Sequence, residues 1–313
     1  MNKNTKIWLN YLIGGTISAL LLLGIYLQVH KQLLHVDAQA WQQTGPAIFL
    51  WLAVLLMPVN IALESKKWQL LASSAQRTSF KQALFSFLAG LAFSIVTPNR
   101  LGEYPGRLLY MKRTNTIRLI SVSVLGAVAQ LVTVFIFGTL GLIYYNIAFP
   151  GITSQITLVC SVLVSIFLLL VYFRFETWLP ILKKYAWTRR YNIYGQLLQR
   201  FSFKEQLTIL SISLLRYGVF TAQLLFCLRW MNVHIPLWDG YWMSALFFGV
   251  MAVIPSIALT ELGERGQVSL FLFHHFSANT IGILAATIGL WALNLIIPSV
   301  IGSILLIRMR LLK

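Results

Sequence analysis

Two short stretches of this 313-residue chain concentrate the residue types that could do chemistry. The first, TPNRLGEYPGRLLYMKR, runs from Thr97 to Arg113, and the second, IPSIALTELGERGQVSLFLF, from Ile254 to Phe273. Each has a proline, then Leu-Gly-Glu, then arginine and glycine in close succession, then a short apolar piece. Pro98 and Pro255 lack an N–H and clash with the preceding turn, so each predicts the end of a half-helix. Gly102 and Gly263 are the expected hinges, where the backbone can turn tightly. N–H groups freed at such a break, with the positive end of the next half-helix, make an anion site. Arg100, Arg107 and Arg265 add planar, bidentate donors that suit a phosphate diester. Glu103 and Glu264 would neutralise those arginines in an empty site or meet a cationic headgroup in a filled one. A plainer alternative is that the carboxylates only pin the loops. Glu103 and Arg107, four residues apart, stand in the favourable order for an ion pair on one helical turn.

Arg216 is the other conspicuous charge. It falls near the middle of an apolar run, residues 207–228, where insertion into a bilayer costs about 2.5–3.5 kcal/mol. Nothing in that run offsets it, so a carboxylate or a ligand phosphate is expected in the interior. Gln130, Gln223 and Asn294 are also polar and mid-run, and interhelical hydrogen bonding is their expected role. Cys160 and Cys227 read as small apolar residues, and His274 and His275 as interfacial ones. The sequence has no CxxC, no HExxH and no clustered Cys/His set. No catalytic residue, metal or cofactor is therefore assigned.

The elements that must position these residues follow from composition. Hydrophobic residues make up 58% of the chain and charged residues only 11%, less than half the roughly 25% of an average soluble domain. A water-soluble surface cannot be built from that supply. The fold class expected is all-α, a polytopic membrane protein. Spans of roughly 20 apolar residues are read at 7–29, 46–63 (continuing through Glu64 toward Trp68), 119–145, 153–173, 207–228 and 281–307. Two shorter segments, 83–97 and 240–259, run into or contain the prolines and are each followed by a second apolar piece, 104–111 and 268–276.

The formal charge of +17 comes from 25 Lys and Arg against 8 Asp and Glu. In a soluble chain it would suggest nucleic acid; in a bilayer it sets orientation, and no nucleic-acid partner is expected. Lys3 and Lys6 place the N-terminus in the cytoplasm. A 64–82 loop with Lys66, Lys67, Arg77 and Lys81 returns there. If 83–97 crossed fully, two strongly basic loops would fall on the outer face. A re-entrant hairpin over 83–111 removes that conflict and leaves both termini cytoplasmic. Each half then reads as two spans, an interrupted hairpin and one span, an odd number of crossings. The expectation is about six spanning helices and two re-entrant hairpins in one transmembrane domain, an inverted repeat with halves near 1–148 and 149–313. Gly102 and Gly263, 161 positions apart, support that division.

TPNRLGEYPGR followed by Leu-Leu, and the later Pro…Leu-Gly-Glu-Arg-Gly stretch, resemble the membrane domain of the lysylphosphatidylglycerol synthase/flippase family. The Lys67–Leu71 turn, Lys-Trp-Gln-Leu-Leu, is also similar. The resemblance covers nearly the whole chain; Leu259, Thr260 and Glu261 depart from it where glycine would be expected. It implies a flippase in the bacterial cytoplasmic membrane that moves a phospholipid, or another lipid with a polar headgroup, between leaflets. Two-part members of that family also carry a soluble aminoacyl-transfer domain. Here the sequence reaches Lys313 just after the last span, so lipid synthesis by this chain is not expected.

The partners expected are membrane lipids with an anionic or zwitterionic phospholipid headgroup, with homo-oligomerisation left open. In this reading the headgroup slides past Arg107, Arg216 and Arg265 while the tails stay in the bilayer. Two other classes remain. One is an intramembrane lipid-modifying transferase with Glu103 or Glu264 as general base. The other is a non-catalytic subunit that recruits a partner through the aromatic, basic 174–205 loop, which reads as an interfacial helix.

Overall fold

The computed structural model describes residues 16–27 except 18 and 25, 44–174 except 96, 98, 99 and 113–115, and 201–307 except 255–260; at 261 and 262 it describes the backbone alone. Pro98, Pro255, most of the 174–205 loop and the basic residues of the two termini lie outside the described residues. The elements in chain order are α1 (Ala47–Ser73), α2 (Phe80–Ser94), α3 (Glu103–Leu108), α4 (Thr116–Ala148), α5 (Ile152–Phe173), α6 (Phe203–Trp230), α7 (Leu237–Val253), α8 (Glu261–Phe273), α9 (Thr280–Trp291) and α10 (Ile297–Ile307). A π-helical turn, Ala292–Ile296, joins the last two into one continuous rod.

Among the described residues, five helices are long and apolar enough to cross a membrane: α1, α4, α5, α6 and the α9–α10 rod. The sixth expected span, 7–29, is described only in its helical 16–27 portion. The protein is an all-α, polytopic membrane protein. Large apolar side chains cover its outside, and α5 buries only Ser165 and Tyr172. In water that surface would be untenable; in a bilayer it faces chains as apolar as itself. With 15 residues, α2 reaches about 22 Å, short of the roughly 30 Å hydrocarbon layer.

Several boundaries differ from the sequence-based expectation, each for a local reason. The expected 64–82 loop is helical through Ser73, because Glu64, Lys67 and Trp68 are buried rather than solvated. The second arm of the later hairpin starts at Glu261, not 268, so Gly263, Glu264 and Arg265 are helical residues. The tight turn expected at Gly263 does not occur there, whereas Gly102 lies in the turn that enters α3, where a Cβ would meet the Phe93 carbonyl at 2.3 Å. No described glycine has positive φ, and Gly102, at φ −61°, begins α3 in an ordinary helical conformation. The left-handed residue of the first knot is Arg100, with φ 55°.

Helix starts are set by conventional caps. The Ser79 side chain accepts from the Gln82 N–H and that of Asn279 from the Gly282 N–H, while Ser202 and Glu205 form a reciprocal capping box. The two broken helix pairs pack on rods distant in sequence: α2 lies along α10, and α7 along α4. α1 and α6 run side by side.

Small residues permit these contacts. Gly106 of α3 sits against the Gly90 backbone of α2, where a Cβ would approach Gly90 Cα to 2.8 Å. At the α4–α7 crossing, a Cβ on Gly249 would lie 2.9 Å from Gly138 Cα. Close approach of this kind is how helices gain packing energy in lipid, where no hydrophobic force joins them. Replacing Gly249 by leucine is expected to part α4 and α7 at about 1–3 kcal/mol, the usual cost of overpacking. Thermal unfolding in detergent should show a lowered midpoint for Gly249→Leu and little change for Gly218→Leu, whose Cβ position has no neighbour within 4 Å.

Candidate functional site

The site is organised by one face of α1. Asn60, Glu64, Lys67 and Trp68 recur at helical spacing and are all buried. Glu64 lies at the centre. Its Oε1 accepts from Arg107 Nη2 at 2.9 Å. Its Oε2 meets Lys67 Nζ at 2.8 Å and Arg216 Nη1 at 3.0 Å. The three cations come from three places: α1 itself, α3 of the first hairpin, and α6 across the molecule. The carboxylate expected opposite Arg216 is thus Glu64, a residue the sequence reading placed at a helix end.

Arg107 is held from every side. Its Nε donates to Glu103 Oε1 at 3.1 Å, and Nη2 is shared between Glu103 and Glu64. The guanidinium carbon lies 5.2 Å from the ring centroids of both Trp68 and Phe87, in cation–π geometry. Trp68 Nε1 donates to Ser86 Oγ at 2.8 Å, and Ser86 Oγ donates to the Arg107 carbonyl at 2.6 Å. These bonds tie α1, α2 and α3 into one block. The i,i+4 pair of Glu103 and Arg107 is present as the sequence spacing suggests.

Arg216 is held less completely. Its Nε donates to Asn60 Oδ1 at 2.8 Å, and Nη1 is placed by Gln130 Oε1 at 3.3 Å as well as by Glu64. Nη2 has no hydrogen bond among the described residues. Behind it runs an amide relay. Asn60 Nδ2 donates to Asn294 Oδ1, Asn294 Nδ2 to Gln223 Oε1 at 3.0 Å, and Gln223 Nε2 to the Ala53 carbonyl at 3.0 Å. Asn294 lies within the π turn, a geometry frequent at functional sites, and Nδ2 also donates to the Leu290 carbonyl at 3.1 Å. The interhelical bonds expected of Gln130, Gln223 and Asn294 are all present.

Arg216, Gln130 and Asn294 line a cavity of about 300 Å³. Arg100, Glu103, Arg216 and Arg265 supply its charge, Gln130 and Asn294 its amides, and aromatic rings such as Phe220 and Trp291 its apolar faces. The structure therefore brings Arg100, Glu103, Arg216 and Arg265 together across both knots. Arg107 and Glu264 do not line the cavity; Arg107 is buried behind Glu103 as part of its support. No group of three or more His, Cys, Asp or Glu that could hold a metal occurs among the described residues.

Sequence reasoning missed Glu64, Lys67 and Asn60. A readable signal existed: Asn60, Glu64 and Lys67 fall at i, i+4 and i+7, a polar stripe on an otherwise apolar helix. Removing the Glu64 charge would leave Arg107, Lys67 and Arg216 facing one another in a buried setting. Glu64→Gln is expected to destabilise the fold by about 3–5 kcal/mol, the penalty of breaking a buried ion pair. Glu103→Gln should cost less, because its side chain is 25% exposed and Arg107 keeps its bond to Glu64. Thermal unfolding of the two purified variants in detergent checks the ranking. Equal midpoints would contradict a central place for Glu64.

No curated protein matches the sequence. The sequence profile of the lysylphosphatidylglycerol synthase TM region matches residues 8–302, nearly the whole chain and both knots. A lipid-related membrane role agrees with a polar cavity built among membrane-spanning helices. The chain belongs to the lysylphosphatidylglycerol synthase TM-region family.

Proposed function

We propose that the protein is a lipid translocase of the bacterial cytoplasmic membrane. It passes the headgroup of a phospholipid, or of another lipid with a polar headgroup, between leaflets. The observation that carries this reading is the charged cavity among the spanning helices. Three guanidiniums against one carboxylate line a space of about 300 Å³, in a setting where each such charge costs about 2.5–3.5 kcal/mol. A polar lining in that place is suited to a polar cargo with an anionic group. A phosphate oxygen accepts charge-assisted bonds from arginine, and Arg216 Nη2 is available to give one. The tails need no protein path, since they can remain in the surrounding hydrocarbon.

The roles divide accordingly. Arg100, Arg216 and Arg265 would bind the phosphate, and Glu103 would balance them or meet an amine on a zwitterionic headgroup. Arg107 and Glu64 are positioning residues that hold Glu103 and Arg216. The two hairpins are proposed to be inverted copies, re-entrant from opposite faces and offering access from one leaflet each. The reciprocal packing of α2 on α10 and α7 on α4 supports that reading, as does the short reach of α2.

Reconstituted vesicles with fluorescent phosphatidylglycerol give the test, with dithionite bleaching reporting the exposed leaflet. Arg265→Gln, which leaves the Glu64 cluster intact, is expected to slow translocation about tenfold, equivalent to about 1.4 kcal/mol. Arg216→Gln should slow it further. Lys112→Gln, at an exposed site outside the cavity, should not change it. Protein-free and wild-type vesicles that bleach identically across several headgroups would refute the translocase reading.

A further inference from the structure

A second cavity lies on the other side of the α7–α8 hairpin. It is larger, about 590 Å³, and of different character. Phe248, Met251 and Arg265 of the hairpin face the polar cavity; Leu246, Val250, Val268 and Leu272 face this one, with Leu142 of α4 opposite. One hairpin therefore separates a charged chamber from an apolar chamber. Nothing in the translocation reading uses the second.

Its position fixes what can fill it. The cavity begins where α4 ends and α5 starts, beside Phe149 and Gly151, and its lining reaches Thr157, about 9 Å along α5, a helix whose apolar side chains are mostly exposed. Tyr145, Phe149, Phe271 and His275 cluster at the shallow end, with Phe149 and His275 stacked at 4.3 Å between ring centroids. Amphipathic rings collect at the level of lipid headgroups. The aromatic end of the cavity is thus the one expected at headgroup level, with the rest of the lining beside hydrocarbon.

The lining chemistry agrees. The hydroxyls at the edge have partners close at hand: Ser154 Oγ bonds to Asn146 Oδ1 at 2.6 Å, and Thr157 Oγ1 to the Thr153 carbonyl at 2.8 Å. The remaining walls are aliphatic apart from the exposed Gln267. An apolar cavity excludes water, and an empty one forfeits dispersion contacts over its whole lining. Acyl chains are the apolar matter that surrounds these helices.

We propose that this cavity binds an acyl chain of a glycerophospholipid drawn from the leaflet that holds the α4–α5 connection. The glycerol end lies among Thr153, Ser154 and the aromatic cluster. The site is separate from the headgroup cavity and does not depend on translocation.

The full-length protein in nanodiscs of phosphatidylglycerol carrying a diazirine on its acyl chain tests this. Photolysis followed by peptide mapping should concentrate label on residues 142–157 and 246–272. Thr157→Trp, at an exposed position on the cavity edge, should lower that label about tenfold, equivalent to about 1.4 kcal/mol of binding. Val159→Trp, exposed on the same helix outside the cavity, should leave it unchanged and controls for folding. Label should persist in Arg216→Gln whether or not that variant translocates lipid. Label spread evenly over all lipid-facing helices, with Thr157→Trp like wild type, would overturn the proposal. A change of oligomeric state in Thr157→Trp with no loss of label would assign the cavity to a second copy instead.

Discussion

A carboxylate buried at the centre of a membrane protein is unfavourable unless cations neutralise it, and arginines there are unfavourable without an anion. Glu64 resolves both constraints at once, with Lys67, Arg107 and Arg216 on its two oxygens. Because those partners belong to α1, α3 and α6, the electrostatics also fix three elements relative to one another. The first hairpin is tied to α1 through Arg107 and Trp68. The long α1–α6 contact is tied through Arg216 and Asn60. With Glu103 included, the cluster holds three cations against two carboxylates. The residual positive charge stands at the wall of the cavity, through Arg216. Desolvation makes such a cluster weak support for stability as a whole, yet costly to break at any one member. Its value is in placing a guanidinium where hydrocarbon would otherwise exclude it.

The second hairpin extends this arrangement. Arg265 lines the polar cavity together with Arg100 and Glu103 of the first knot. The same α7–α8 pair turns its other face to aliphatic and aromatic side chains. The polar and apolar cavities are thus separated by a wall one helix thick, made of α7 and α8. Close contact between Gly138 and Gly249 seats that wall on α4. Lipids are amphipathic, and a protein that handles them gains from keeping separate environments for headgroup and chain.

Much of this was legible in the sequence because membrane insertion imposes strict rules. Apolar length gave the spans, and the cost of an intramembrane charge marked Arg216 as needing a carboxylate or a ligand phosphate, the first of which is Glu64. The two Leu-Gly-Glu knots identified residues that do meet across one cavity. What stayed hidden was tertiary. Lys66 and Lys67 are adjacent and chemically alike, yet Lys66 is exposed while Lys67 is buried on Glu64. Only the helical phase set by the neighbouring elements distinguishes them. The hinge assignment departs at Gly263, which is helical, for a similar reason. Glycine permits a left-handed turn but does not require one, and here Arg100 takes it while Gly102 serves close packing. The π turn that carries Asn294 has no counterpart in apolar periodicity.

The central claim is that Glu64 holds Arg216 ready for an anionic headgroup in the cavity between the hairpins. Electron cryomicroscopy of the protein in phosphatidylglycerol nanodiscs tests it most directly. The predicted result is phosphate density within hydrogen-bond reach of Arg216 Nη2, flanked by Arg100 or Arg265, with Glu64 still bonded to Arg107 and Lys67. A lipid-saturated map with no density in that cavity, and headgroups ordered only on the outer surface, would contradict it.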